Sequence, residues 1–526
     1  MCKIFYAFLR YFILKKITPY AKIVIYAKLK EIFMFKTVTP ESVGVSSHLV
    51  QKYINSLNKR GYHMHSVLMM RGEDIFCECY WKPFSKDLPH RMYSVTKSFV
   101  SIAIGLLVED GLIDLKEKIA AYFPEKIDTP LCENLANQTV EEMLTMSTAG
   151  SPVSWFSTNA PDRTRLYFAD YGNRRTSGAI WEYDSAGSQV LSSLVEKIAK
   201  KSLFDFLNER IFTHLGTFKD ATVLKTRNGD SWGDSAMICT SRDLLSFARF
   251  VMNYGVYNGK RLMNEEYLKK ATSKVVDNLW FGHRDITHMG YGYQIWKTEE
   301  DGFAFVGMGN QLAVCIPKYD FIFVCTADTQ GNTTACQYIV SQLFDLIVSN
   351  LSDTPLDENK AEYQKLLDME NSQELFAHTG LCDSPMREKI NNRVYECYDN
   401  PMGIKRFHFE FDNAESGKLV YENENGELEL EFYVNKNRFG KFPELGYSND
   451  FGGLRTTDGF KYDDAVSLAW LQDNKLIVFT QIIDRYLGNM SLIFGFKDNK
   501  AVIYAHKDAE DFLWNYNGVA DAYAIN

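Results

Sequence analysis

A basic surplus is the first thing this sequence lacks. Its 526 residues carry 58 Lys and Arg against 67 Asp and Glu, a formal charge of -9, so no broad positive face is available and a nucleic-acid partner is excluded. It also lacks any C-x-x-C pair. Ten cysteines (2, 77, 79, 132, 239, 315, 325, 336, 382 and 397) stand apart, mostly inside apolar runs such as QLAVCIPKYDFIFVCTA, which suits reduced, packed thiols in the cytoplasm better than a disulfide framework or a zinc site. No H-E-x-x-H accompanies the histidine pairs 63 and 65 or 283 and 288, so they read as surface or packing residues and no metal is expected. No apolar run is long enough to span a bilayer. Fixed-period repeats and low-complexity tracts are absent too, leaving a globular chain whose 46% apolar content is ample for a large core.

The first 36 residues are unusual: eight Lys or Arg stand among aromatic and aliphatic residues against one acid, Glu31. They read either as a leader upstream of the folded domain or as a basic amphipathic segment in peripheral contact with a membrane surface. From 37 to 351 helical and strand signals alternate. SSHLVQKYINSLNKRG reads as a helix ending at Gly61, and SVLMMRGEDIFCECYW as two strands around a Gly72–Asp74 turn. Thr139 opens a helix as a cap, and Thr240 with Asp243 has capping-box spacing. FAFVGMGNQLAVCIPKYDFIFVCTA returns to strands with a turn from Pro317 to Asp320, so the sheet must join segments far apart in sequence. Residues 352–362, SDTPLDENKAE, read as a linker. From 363 to 526 closely spaced strands (KLVYENENGELELEFYV, LIVFTQII, MSLIFGF, AVIYAH) predict a separate antiparallel β domain, a barrel or a sandwich.

The chemistry centres on YSVTKSF, Tyr93 to Phe99. The run from Val95 to Val108 is apolar around most of its circumference and predicts a buried helix. Lys97 in its first turn sets a cation against the positive end of the helix dipole, and the positions three and four away offer no carboxylate. A local rule broken without local compensation points to function. Ser94 lies one turn earlier on the same face, where an amine can help take its proton. Ser56 and Lys59 share the spacing but sit at a helix C-terminus, where lysine is locally favoured. A rival motif, GDSWG from Gly229 to Gly233, fits G-x-S-x-G, yet polar turn residues flank it where an α/β-hydrolase needs a strand and a helix, so Ser231 reads as a loop serine.

MYSVTKSFVSIAIGLLVEDGLIDL, TVEEMLTMSTAG, AIWEYDSAGSQVLSSLVEKIAKKS, ICTSRDLLSFARFVMNYGVYNGKRL and YGYQIW resemble, in that order, the serine β-lactamase and penicillin-recognising enzyme superfamily. The likeness is greatest to its class C-like esterases and 6-aminohexanoate-dimer hydrolases, and covers roughly residues 40 to 345. It implies a β-lactamase/transpeptidase-like α/β (α+β) fold: an antiparallel sheet with helices on both sides, a helical subdomain, and Ser94 opening a helix between them. It assigns Tyr183 and Ser185 of YDS to the family's Y-x-N or Y-x-S motif, with Tyr183 relaying protons between Ser94 and the leaving group. Literal YSN at Tyr447–Asn449 falls in the tail domain, outside the likeness. The third family motif, K-T-G or H-x-G, is matched by GMGNQ, with Met308 where many relatives have His, while Lys297-Thr298 is followed by Glu299. Gly307, Met308 and Gly309 would then adjoin an oxyanion hole built from the Ser94 amide and one near Met308 or Gly309. The altered motif weakens recognition of a substrate carboxylate. Aromatics between the motifs (Trp155, Phe156, Tyr167, Phe168, Tyr171, Trp181) stand where the family builds its cleft.

The resemblance thus implies a serine hydrolase, free of metal and cofactor, that cleaves an amide or ester of a small molecule through acyl-Ser94. A β-lactamase or D-Ala-D-Ala carboxypeptidase, and a binding or sensor module that has lost turnover, are the alternatives. Oligomeric state is not legible.

Overall fold

The computed structural model describes residues 35–151, 160–169, 174–278, 286, 288–448, 450–452, 460–509 and 516–525. Residues 1–34 of the basic leader, with Cys2, and Trp155, Phe156, Tyr171, His283 and Asn449 lie outside the described residues. Among those described, no helix is long and apolar enough to cross a membrane.

The first unit is built on one sheet. Its strands are β1 (Lys36–Thr37), β2 (Met64–Arg71), β3 (Asp74–Tyr80), β4 (Trp296–Lys297), β5 (Phe303–Gly307), β6 (Gln311–Ile316) and β7 (Phe321–Ala327), in the order β1–β3–β2–β7–β6–β5–β4. Every neighbouring pair is antiparallel except β1 on β3. The expected antiparallel sheet therefore carries one parallel edge pair, because helix α1 (Ser47–Lys59) separates β1 from the β2–β3 hairpin and lets the chain enter alongside β3.

Both faces of the sheet are covered, and the period of two sorts the side chains between them. Leu312, Val314, Phe321 and Phe323 pack with Val50, Tyr53, Ile54 and Leu57 of α1. Ala313, Cys315, Ile322 and Val324 join the opposite core. That is why β6 and β7 read as unbroken apolar runs. The opposite core holds α2 (Thr96–Glu109), α3 (Ser185–Ala199) and α4 (Ser241–Met252). Every residue of α2 from Thr96 to Leu107 is buried. It packs against α3 and stacks Phe99 on Phe247 of α4, ring centroids 4.0 Å apart. Both capping boxes, Thr139 with Glu142 and Thr240 with Asp243, are formed.

Helix α5 (Ala335–Leu346) packs on α1. Residues Lys360–Ser372 form α6, which runs through the expected linker boundary and also lies on α1, with Gln51 Nε2 donating to the Glu362 carbonyl at 2.9 Å. Beyond it the chain forms a separate β domain: β8 (Tyr395–Cys397), β9 (Arg406–Phe411), β10 (Ser416–Asn423), β11 (Gly426–Val434), β12 (Arg438–Lys441), β13 (Asp463–Gln472), β14 (Lys475–Ile483), β15 (Leu487–Lys497), β16 (Lys500–Ala509) and β17 (Gly518–Ala524). The order is β11–β10–β9–β8–β17–β16–β15–β14–β13–β12, and a parallel pairing of Tyr433 with Ser467 and Val434 with Leu468 joins β11 to β13. That pairing closes a barrel. Phe407, Phe409, Phe432, Phe494, Phe496 and Trp470 fill its interior, with Phe407 and Phe494 rings 5.1 Å apart.

Candidate active site

The chain enters the site through a short strand, His90–Arg91, paired with Met237–Cys239. A single 3-10 turn, Tyr93–Val95, then leads into α2. Tyr93 is left-handed, φ 46°, a conformation that costs a residue with a side chain about 1–2 kcal/mol. It directs the next residue, Ser94, toward β5. Ser94 thus stands just ahead of α2 in the 3-10 turn, while Lys97 is the second residue of the helix itself.

Lys97 is 2% exposed. Its Nζ reaches Ser94 Oγ at 2.9 Å and the Asp234 carbonyl at 2.6 Å, and no carboxylate pairs with it among the described residues. Burying a lysine Nζ whose hydrogen-bond acceptors are a hydroxyl and a carbonyl, with no carboxylate, is a costly arrangement. The decoy spacing behaves otherwise: Ser56 Oγ donates to the Tyr53 carbonyl of its own helix at 2.7 Å.

Tyr183 comes to the same place from α3. Asp184 caps that helix: its Oδ1 accepts from the Gly187 amide at 2.8 Å and from Ser151 Oγ, and its Oδ2 accepts from Thr148 Oγ1 at 2.7 Å. With its neighbour so fixed, the Tyr183 ring stacks on Trp296 at 5.7 Å and 18°. Lys97 Nζ lies 5.1 Å from the ring centroid, within cation–π range. Ser185 is the first residue of α3, half-buried, and no hydrogen bond joins it to Ser94 or Lys97 among the described residues.

The third wall is the end of β5. A Cβ built on Gly307 would fall 2.3 Å from the Met92 carbonyl oxygen and 3.3 Å from the Ser94 nitrogen, so only glycine lets this strand lie against the Ser94 backbone. The turn after it closes with the Asn310 amide donating to the Gly307 carbonyl at 3.1 Å, and Gly309 takes φ 75°. Gln311 Nε2 holds this turn, donating to the Met308 carbonyl at 2.9 Å and to the Ala327 carbonyl at 2.7 Å. The Met308 side chain is 47% exposed. Among the described residues, the Met308 and Gly309 amides donate to nothing.

The remaining candidates go elsewhere. Ser231 is buried and tied to a carboxylate, its Oγ donating to Glu196 Oε1 at 2.6 Å. Lys297 Nζ donates to the carbonyls of Thr272 and Asp301, at 3.2 and 2.9 Å. Tyr167 and Phe168 are core residues, and Trp181 is buried against Tyr291 and Trp296. Tyr447 lies at the barrel rim, its ring 4.8 Å from that of Tyr486. Among the described residues no group of three or more His, Cys, Asp or Glu could hold a metal ion. Sequence reasoning missed Trp296, which carries Tyr183, and Asp234, whose carbonyl carries Lys97. Trp296 stood in the recognised YGYQIW stretch, but no periodicity distinguishes its role.

A model of the Beta-lactamase family matches residues 53–339, and the chain belongs to that family. It is 24% identical over 220 residues, 39% of its length, to the 6-aminohexanoate-dimer hydrolase of Paenarthrobacter ureafaciens, and 23% identical over 234 residues to an uncharacterised protein of Alkalihalophilus pseudofirmus. These alignments span 56% and 64% of the two relatives. Among solved structures, the D-amino acid amidase of Ochrobactrum anthropi is similar with TM-score 0.47 and 17% identity, over 58% of this chain and 99% of that one. The octameric penicillin-binding protein homologue of Pyrococcus abyssi is similar with TM-score 0.45 and 14% identity, over 90% of this chain and 99% of that one.

Proposed function

We propose that the protein is a serine hydrolase that cleaves an amide or ester bond of a small substrate through an acyl-Ser94 intermediate. The observation that carries this reading is the buried Lys97 Nζ, 2.9 Å from Ser94 Oγ and without a carboxylate partner among the described residues. In its amine form Lys97 accepts the Ser94 proton as the Oγ–carbon bond forms. The amides of Ser94 and of Met308 or Gly309 are the donors offered to the oxyanion. Tyr183 then passes a proton to the departing amine or alkoxide and is reprotonated from Lys97. Water attacks the acyl ester by the reverse route, releasing the acid and restoring Ser94.

The family relative named above supports linear amides as one substrate class to test. An exposed methionine stands where a basic side chain would meet a substrate carboxylate, which disfavours penicillins and D-Ala-D-Ala peptides. A fluorophosphonate probe followed by peptide mass mapping tests the nucleophile: the label is expected on Ser94 and is expected to vanish in Lys97→Ala. Label on Ser231, or none anywhere, contradicts the reading. A parallel screen of nitrophenyl esters, a chromogenic cephalosporin and linear amide oligomers is expected to give turnover with the esters or linear amides before the cephalosporin.

A further inference from the structure

The barrel meets the first unit directly behind the nucleophile, through Tyr486, Leu487 and Asn489 at the start of β15. The Leu487 amide donates to the Tyr93 hydroxyl at 3.2 Å. Arg91, 1% exposed, sits among three rings, its Cζ 4.3 Å from the Tyr93 centroid, 4.5 Å from Tyr486 and 4.7 Å from Trp232. The same guanidinium donates through Nε to the Ser235 carbonyl at 3.0 Å and through Nη2 to Ser235 Oγ at 3.2 Å. Ser235 follows Asp234, whose carbonyl receives Lys97. One buried cation therefore ties together the residue before Ser94, the segment that anchors Lys97, and the barrel.

A second arm leaves the same rim. The Leu487 carbonyl accepts from Gln330 Nε2 at 3.2 Å, and Asn489 Nδ2 donates to Asp328 Oδ2 at 2.9 Å. Asp328 follows Ala327, whose carbonyl shares the Gln311 side chain with Met308. The rim thus supports the turn offered to the oxyanion as well as the left-handed Tyr93.

We propose that the barrel rim at Tyr486–Asn489 is a positioning element of the active site, acting through Arg91 and Tyr93 on Ser94 and Lys97 and through Asp328 and Gln330 on the Met308 turn. The barrel is then part of the hydrolase rather than an appended binding module. Barrel residues near the rim touch no reacting atom; they hold the backbone that does. A left-handed tyrosine relaxes when its ring and hydroxyl lose their partners, and a shift of about 1 Å at the nucleophile is enough to cost about 100-fold in rate.

This inference rests on Ser94 being the nucleophile, and its test separates the two claims. Tyr93→Phe, Tyr486→Leu and Asn489→Ala are compared with wild type for the rate of fluorophosphonate labelling, for kcat and KM on a nitrophenyl ester, and for thermal unfolding. Phe494→Leu in the barrel interior is the control for general loss of barrel stability. Each rim variant that folds is expected to lose about tenfold or more in kcat and labelling rate with KM within twofold. Phe494→Leu is expected to lower the melting temperature while its kcat stays at the wild-type level. Rim variants that melt early but label and turn over at the wild-type rate overturn the proposal. So does equal loss of kcat in Phe494→Leu. Should Tyr486→Leu fail to fold, the split is read from Tyr93→Phe and Asn489→Ala. Wild type that does not label on Ser94 overturns the functional reading itself, before the variants are considered.

Discussion

Replacing Gly307 by alanine places one methyl group between β5 and the Ser94 turn. The new Cβ would lie 2.3 Å from the Met92 carbonyl oxygen, whereas carbon and oxygen approach to about 3.3 Å even in the close contacts of sheets. The shortfall of about 1 Å cannot be met by rotating a side chain, because both atoms in conflict are tied to backbone: Met92 leads into the Ser94 turn, and Gly307 is hydrogen-bonded in register with Gln311. The strand and the Ser94 turn must separate by about the shortfall, and a displacement of that size at the proposed reacting centre costs about 100-fold. The accompanying overpacking is worth about 1–3 kcal/mol of stability. Steady-state turnover of a nitrophenyl ester, with the fluorophosphonate labelling rate and a thermal melt on the same preparation, reads both effects. Gly307→Ala is expected to fold, melt earlier and lose about 100-fold in kcat and in labelling. A variant that melts early yet keeps wild-type kcat would refute the placement of this strand against Ser94.

Three further outcomes follow from the same geometry. Met308→Ala is expected to keep kcat within about threefold, because Gln311 holds the Met308 carbonyl and the proposed donors are amides, so the exposed side chain carries no catalytic load; steady-state kinetics on the same ester check this. Ser231→Ala is expected to leave kcat unchanged and to lower stability by about 1–3 kcal/mol, since it removes a donor from Glu196, whose carboxyl is already raised above its ordinary range by burial; denaturant unfolding and label mapping read the two arms. Stability should also fall in acid through a buried histidine pair. His90 Nδ1 donates to the Arg91 carbonyl at 2.9 Å, which leaves its Nε2 to accept from His65 Nδ1 at 2.8 Å, so both rings are neutral. Burial lowers the His90 pKa from 6.5 to about 4 and pushes His65 well below its usual range. A base with a depressed folded pKa contributes its full stability above about 6.5 and loses it as pH falls toward 4, at most about 3 kcal/mol for His90. Thermal melts from pH 7 to pH 4 should show that decline, and His90→Gln should flatten it.

Ser94 and Lys97 were legible because a cation in the first turn of an apolar helix breaks a local rule, and such breaks are visible in one dimension. Tyr183 and Gly307 were reachable only through the family resemblance: a Y-x-S triplet and a G-x-G turn carry no periodic signal of their own. Helix α6 was read as the end of a linker and the start of the β domain because its pattern is polar, with Leu366 its only buried residue. Barrel closure was not legible either. Strand alternation predicts which face is buried, but not that Tyr433 finds Ser467 across an intervening strand. Arg91 was missed for the same reason, since its partners Trp232 and Tyr486 come from distant parts of the chain and no sequence spacing relates them. Local rules reveal residues that offend them; long-range partners reveal themselves only in three dimensions.

The central claim is that Ser94 carries the acyl group during turnover. The most direct measurement is rapid acid quench of the protein with a slowly deacylating nitrophenyl ester, followed by intact-mass and peptide analysis. One acyl mass per chain, on the peptide containing Ser94 and absent in both Ser94→Ala and Lys97→Ala, is the predicted result. Hydrolysis that persists in Ser94→Ala, or an acyl group found on any other residue, would contradict it.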